Sequence, residues 1–175
     1  MALIKTVKPE EAEGFVAEIY SEYEKATGVI PRPLQMMTAS PGMFENHMKT
    51  IGYFRSHPTL SFTLLTLIRF LVSPECGFNY CIDFNRNLLK RMGMEDDEIE
   101  GVRSNPDEAP MEENEKALLL FVLKAVKSPE STDSEEIEAL HDLGWTDSDI
   151  YDATFHGARM VAMSIVFNAF QMFKE

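Results

Sequence analysis

Residues 72–93 read VSPECGFNYCIDFNRNLLKRMG, and both cysteines of the 175-residue chain, Cys76 and Cys81, lie among them. Four residues separate the thiols, Gly77 supplies a turn between them, and Tyr80 onward carries a helical pattern that ends at Gly93. A cysteine at a helix N-terminus has its thiolate stabilised by the dipole, which lowers its pKa from about 8.5 towards 7 or below. Cys81 is spaced for that effect, and a suitably bent turn would bring Cys76 within disulfide range of it. The alternative is a pair of buried cysteines used as small apolar residues, and the residues alone leave both readings open.

On either side of this segment the apolar spacing is helical. Ala12, Phe15, Val16, Ile19, Tyr20 and Tyr23 predict a helix from Pro9 to Lys25 that stops at Thr27-Gly28. A short helix is expected over Leu34 to Ala39, and Ser40-Pro41 restarts helix in a favoured N-cap and first-turn arrangement. Leu60 to Val72, LSFTLLTLIRFLV, is apolar nearly all round, which predicts a helix buried in the core or between subunits. Arg69 inside it would then need a carboxylate partner. Further helices are expected from Glu95 towards Arg103, over Met111 to Lys127, from the Asp133 capping box to Leu143, and from Asp147 to about Phe173 as a central core helix. With no convincing period-two segment, the predicted class is all-α, one domain over residues 1–175 with about seven to eight helices.

Composition narrows the function. Hydrophobic residues make up 45% and charged residues 26%, which is a globular balance. Sixteen Lys and Arg against 29 Asp and Glu give a net charge of -13, so nucleic-acid phosphates and anionic membranes are not expected partners. The N-terminus MALIKTVKPEEAEG lacks the apolar core of a signal peptide, and no segment approaches the roughly 18 apolar residues of a membrane span, so a cytoplasmic protein is expected. Cysteines in that compartment are more often free, catalytic or redox-active than structural bridges. His47, His57, His141 and His156 form no pair at helical ligand spacing, so neither a metal nor another cofactor is expected. His156, on a mostly apolar helix, reads either as a base or as a hydrogen-bonded core residue, and Tyr53, Tyr80 and Asp83 are pocket candidates.

VSPECGFNYC followed by IDFNRNLLKRMGMEDDEIEGV resembles the motif segment of the carboxymuconolactone decarboxylase and alkylhydroperoxidase D-like (AhpD-like) family. EIYSEYEKATGVIPRPLQMMTASPGMFENHMKTI is similar to that family's first helix, proline turn and Ser-Pro helix start, and LHDLGWTDSDIYDATFHGARMVAMSIVFNAF to its closing helices. The resemblance implies an AhpD-like helical bundle covering nearly the whole chain, and a thiol-dependent peroxidase chemistry. In that chemistry the second cysteine of a Cys-x-x-Cys motif attacks peroxide, the first resolves the sulfenic acid, and a His and a Glu relay protons. Aligned without gaps, the second cysteine falls on Cys81, the first on Phe78, the His on Asn85 and the Glu on Thr66. Asn85 and Thr66 cannot accept a proton as His and Glu do.

What survives of the implied site is Cys81 as nucleophile, with Tyr80, Phe78 and Thr66 lining its pocket. Cys76, two positions before the missing cysteine, is either a displaced resolving thiol or an incidental loop cysteine, and Glu75 beside it is a nearby acid. Two further readings stand beside a diverged peroxidase. One is a cofactor-free lyase of the decarboxylase kind, with Arg69, Arg86 or Arg159 binding a substrate carboxylate. The other is a non-catalytic binding or structural protein that has lost the relay. The expected partners are a small-molecule substrate or thiol reductant and copies of the chain itself, as a dimer or a trimer of dimers, since family members assemble that way and residues 60–72 and the Met-rich tail are apolar.

Overall fold

The all-α expectation holds. The computed structural model describes residues 2–73 and 79–172, without the side chains of Thr27 and residues 79–81. Within these residues there is no strand, and nine helices follow in order: α1 (Gly14–Thr27), α2 (Arg32–Met37), α3 (Pro41–Arg55), α4 (Phe62–Val72), α5 (Asn79–Arg91), α6 (Asp96–Ser104), α7 (Glu113–Lys127), α8 (Ser134–Asp142) and α9 (Asp147–Ala169). Eight have seven residues or more, and α2 is the short one. Among the described residues, no helix is long and apolar enough to cross a membrane.

The chain forms two compact units. The first, residues 1–56 and 166–175, holds α1, α2 and α3. Its core gathers Val16, Ile19, Tyr20, Leu34 and Phe44, with Phe15 set edge-on to Phe44 at 6.0 Å. The helix expected from Pro9 begins only at Gly14, after a single 3-10 turn over Pro9–Glu11. Just ahead of that turn, Val7 donates its backbone N–H to Thr38 Oγ1 at 2.9 Å and accepts from the Tyr20 hydroxyl at 2.8 Å, which ties the start of the chain to α1 and α2.

The second unit, residues 57–165, holds α4 to α8 and most of α9. Its centre is α4, where Leu64, Leu65, Thr66, Leu67, Ile68, Phe70 and Val72 are all buried. Ser61 starts the helix by accepting the Leu64 N–H at 3.0 Å. α5 and α7 pack against it, and Leu89 of α5 and Leu118, Leu119 and Val122 of α7 are buried, as is Ile99 of α6. The expectation of α9 as the central helix is corrected. Ile150, Ala153 and His156 are buried, whereas Tyr151, Phe155 and Ile165 on its other side are exposed.

Two local devices fix where α9 lies. Thr146 and Asp149 form a reciprocal capping box: Thr146 N–H donates to Asp149 Oδ2 at 3.0 Å, and Asp149 N–H to Thr146 Oγ1 at 3.2 Å. Further along, Gly157 lets the helix approach its neighbours closely. A Cβ there would come within 3.0 Å of Val122, 3.1 Å of Val126 and 3.3 Å of Ile68. This contact sets His156 and Arg159 of α9 beside Arg69 of α4.

Candidate functional site

The polar centre of the second unit is the Arg69 guanidinium, held by three helices. Its Nη2 donates to Thr66 Oγ1, one turn earlier on α4, at 2.9 Å. From α5, Asn85 Oδ1 accepts from Nε at 3.0 Å, and from α9 His156 Nε2 lies 3.1 Å from Nη1. The guanidinium carbon sits 5.8 Å from the centre of the Phe62 ring, a cation–π distance. Thr66, Asn85 and His156 are 0%, 2% and 4% exposed, so these bonds are made out of contact with water, while Arg69 itself is only partly buried.

Hydrogen-bond roles follow from the donors. Guanidinium only donates, so His156 Nε2 is the acceptor and its proton resides on Nδ1. The Thr66 hydroxyl donates to the Phe62 carbonyl at 2.7 Å and accepts from Arg69, which commits its hydrogen to the helix backbone.

The electrostatics are those of buried positive charge. Burial, and then the positive charge of Arg159, push the Arg69 pKa down to about 10. Arg159 is also lowered by burial. His156 falls to about 3 because burial, Arg69 and Arg159 all disfavour its imidazolium, against a weaker opposing hydrogen bond with the Leu65 backbone. A ring protonated only near that pH is neutral at pH 7 and a poor proton acceptor, so His156 acts as a hydrogen-bond acceptor for Arg69.

Among the described residues no carboxylate partner of the kind expected for Arg69 is found, and its hydrogen-bond partners there are the neutral Asn85, Thr66 and His156. Arg86, by contrast, is engaged at the surface, with Asp96 at 2.9 Å and Glu100 at 2.5 Å, and Lys90 joins Asp96 at 2.7 Å. Those acids raise the Arg86 pKa, its hydrogen bond with Asp96 contributing most.

The structure thus brings together three residues of the sequence-based site, Asn85, Thr66 and His156, and joins them through a fourth, Arg69. Cys81 and Tyr80 lie in the first turn of α5, one turn before Asn85, with side chains outside the description. Cys76, Phe78 and Glu75 lie outside the described residues. The sequence did carry a signal for this hub, an arginine three positions after Thr66 in an otherwise apolar helix, yet it gave no indication of which helices would supply neutral acceptors.

Sequence spacing also missed a histidine–carboxylate pair. His57 Nδ1 accepts the Leu60 N–H at 3.1 Å, leaving Nε2 to donate to Asp152 Oδ2 at 3.2 Å. The Thr59 hydroxyl donates to Asp149, and that of Thr146 donates to it at 2.5 Å. Burial alone would raise the Asp149 pKa, but the hydrogen bonds from Thr146 and Thr59 and the nearby His57 bring it below the ordinary value. With its acceptor nitrogen occupied by backbone, His57 fastens the 57–60 turn to the start of α9. Elsewhere in this unit a recess of 350 Å³ runs between Leu71, Val72, Leu123 and Val126, with Arg103 and Lys127 beside it.

The sequence matches no protein-family model and no curated protein. Solved structures do resemble it. An uncharacterized peroxidase-related protein with an alkylhydroperoxidase AhpD core, from Ralstonia eutropha JMP134, superposes with a TM-score of 0.81 at 17% identity, over 99% of this chain and 92% of that one. A peroxidase-related protein from Silicibacter sp. TM1040 gives 0.79 at 16% identity, over 100% and 95% of the two chains. A protein of unknown function from Agrobacterium tumefaciens, named for the antioxidant-defence protein AhpD, gives 0.62 at 22% identity over 78% and 92%. From one end to the other, then, this chain has the helical fold of the AhpD core.

Proposed function

We propose that the protein is a diverged member of the AhpD-like family and a thiol-dependent peroxidase whose nucleophile is Cys81. The observation that carries this reading is the 3.0 Å hydrogen bond from Arg69 to Asn85, one turn beyond Cys81 on α5. Asn85 and Thr66 occupy the positions where the resemblance would put His and Glu, and both are bonded to Arg69. A fixed cation thereby stands in for a proton relay. On this reading a cation on the neighbouring helix favours the thiolate form, so that ionisation to solvent replaces deprotonation by a base.

The thiolate attacks the terminal oxygen of a hydroperoxide. An S–O bond forms, the O–O bond breaks, and the leaving alkoxide takes a proton from water to depart as the alcohol. Sulfur is oxidised by two electrons to sulfenic acid, and the peroxide is reduced by two. A thiol, either Cys76 or a small external one, then forms an S–S bond at the sulfenic sulfur with loss of water. A mixed disulfide with an external thiol is released by a second external thiol, and a Cys76–Cys81 disulfide by two, the external thiols leaving as their own disulfide and Cys81 returning to the thiol. Without a proton donor for the leaving group, turnover is slower than a His-Glu relay would allow.

The test is intact-mass analysis after substoichiometric peroxide. One added oxygen on wild type, or a Cys76–Cys81 disulfide, and neither in Cys81→Ser, is the expected result. An unmodified Cys81 sinks the reading and favours the lyase or the non-catalytic alternative. Those two are told apart by whether a small carboxylated ring compound is turned over by the Cys81→Ser variant.

Self-association belongs to the same proposal. Tyr151, Phe155, Ala158, Ala162 and Ile165 are all exposed on α9 at alternating spacings of four and three. That is the spacing of a seam between paired helices, which favours a second copy of this chain as the partner.

A further inference from the structure

Where α4, α6 and α7 end, a recess of 350 Å³ opens that shares no residue with the Arg69 hub. Leu71, Val72, Leu123 and Val126 line it with aliphatic surface, buried in the case of Val72 and half-buried in the others. Arg103 and Lys127 also line it and are exposed, so the cations stand at the outer edge of an apolar interior. Its volume falls within the roughly 300–1,000 Å³ of small-molecule sites. Water among four aliphatic side chains finds few hydrogen-bond partners, and its displacement by an alkyl chain is favourable.

Charge decides what the outer end of such a chain carries. Arg103 and Lys127 make no hydrogen bond or ion pair among the described residues, and none of the chain's 29 acidic residues lines the recess. Each cation lies in the last turn of its helix, where it meets about half a unit of negative charge from the helix dipole. With the end of α4 counted as well, about 1.5 units of partial charge stand against two full positive charges, so the edge remains positive.

We propose that this recess binds a single-chain aliphatic anion, such as a medium-chain fatty acid, with its chain between α4 and α7 and its head between Arg103 and Lys127. Because both cations are exposed, the chain supplies most of the affinity and the cations select the sign of the head. The site needs neither Cys81 nor peroxide, so it stands or falls apart from the peroxidase reading.

The experiment is isothermal titration calorimetry of the full chain at pH 7 and low ionic strength. The probes are hexanoate, octanoate, decanoate, decyl sulfate and octylammonium, each below its micelle concentration. One saturable site per chain is expected for decanoate and for decyl sulfate, and each pair of methylenes removed should weaken binding about tenfold. Octylammonium should bind more weakly than octanoate. Two variants localise the site. Arg103→Glu/Lys127→Glu reverses the exposed charges without touching the interior, and should weaken decanoate about tenfold while octylammonium tightens. Leu123→Gln keeps the cations and makes the interior polar, and should weaken decanoate and decyl sulfate alike; the charge reversal remains informative if it does not fold. The proposal is overturned by no saturable decanoate binding, by hexanoate binding as tightly as decanoate, by octylammonium matching octanoate, or by unchanged decanoate affinity in either folded variant. Binding to anionic phospholipid vesicles with none to monomeric decanoate would overturn it in favour of a membrane surface.

Discussion

Arg69 carries its positive charge among hydrogen-bond partners that are all neutral in the described residues, and with its pKa lowered to about 10 it is still protonated at pH 7. His156 is the residue on which the effect of that charge becomes measurable. Its pKa is lowered in the fold to about 3, against about 6.5 in an unfolded chain. Between those values the unfolded state binds the extra proton, so stability rises with pH across the window and is lost as pH falls below about 6.5. One proton of linkage amounts to about 1.5 kcal/mol between pH 6.5 and 5, a window above the titration of most carboxylates. His156→Gln retains an oxygen acceptor for Arg69 and does not titrate. Urea midpoints should therefore fall on going from pH 6.5 to 5 in wild type and change much less in the variant. Equal slopes would mean that His156 is not held neutral. Sequence made the same residue a choice between base and core histidine, and it could not decide because the ring's basicity depends on Arg69 and Arg159, distant in the chain and adjacent only after folding.

At the scale of elements, starts and stops were legible because their chemistry is local. The Asp133–Glu136 box before α8 and the Thr146–Asp149 box before α9 each sit within four residues of the groups they satisfy. The long apolar run of α4 likewise identified the buried helix. What was not legible needed a tertiary partner: the bonds of Val7 to Thr38 and Tyr20, and the half-exposed surface of α9, whose apolar residues on most faces looked like a core helix. Nor could sequence mark Gly157 as the contact that brings α9 onto α4 and α7, since glycine within a helix carries no signal of what lies opposite. Gly157→Ala would put a methyl within 3.3 Å of three branched side chains, Val122, Val126 and Ile68, in a packed interior. Overpacking of this kind outweighs the gain in helix propensity and should destabilise by about 1–3 kcal/mol, seen as a lower denaturation midpoint. A gain in stability would mean that the contact is loose.

For the whole molecule, the net charge of -13 and the apolar seam on α9 act against each other. Tyr151, Phe155 and Ile165 are 68%, 43% and 62% exposed, and burying them against a second copy returns about 25 cal/mol for each Å² of apolar surface removed from water. Bringing two such acidic chains together costs electrostatic work, which salt reduces as the screening length shortens from about 10 Å at 0.1 M to about 3 Å at 1 M. The balance predicts an assembly that strengthens with salt, opposite to one built on ion pairs. Light scattering coupled to size exclusion should give a mass of at least twice the chain's 19.9 kDa at moderate salt, with any dissociation on dilution appearing first at low salt. Ile165→Glu puts a charge in the middle of the seam and should shift the protein towards monomer while far-UV circular dichroism remains helical, because that side chain is already in water in the single chain. A monomer under all salt conditions, or an Ile165→Glu protein that elutes with wild type, removes α9 as the assembly surface.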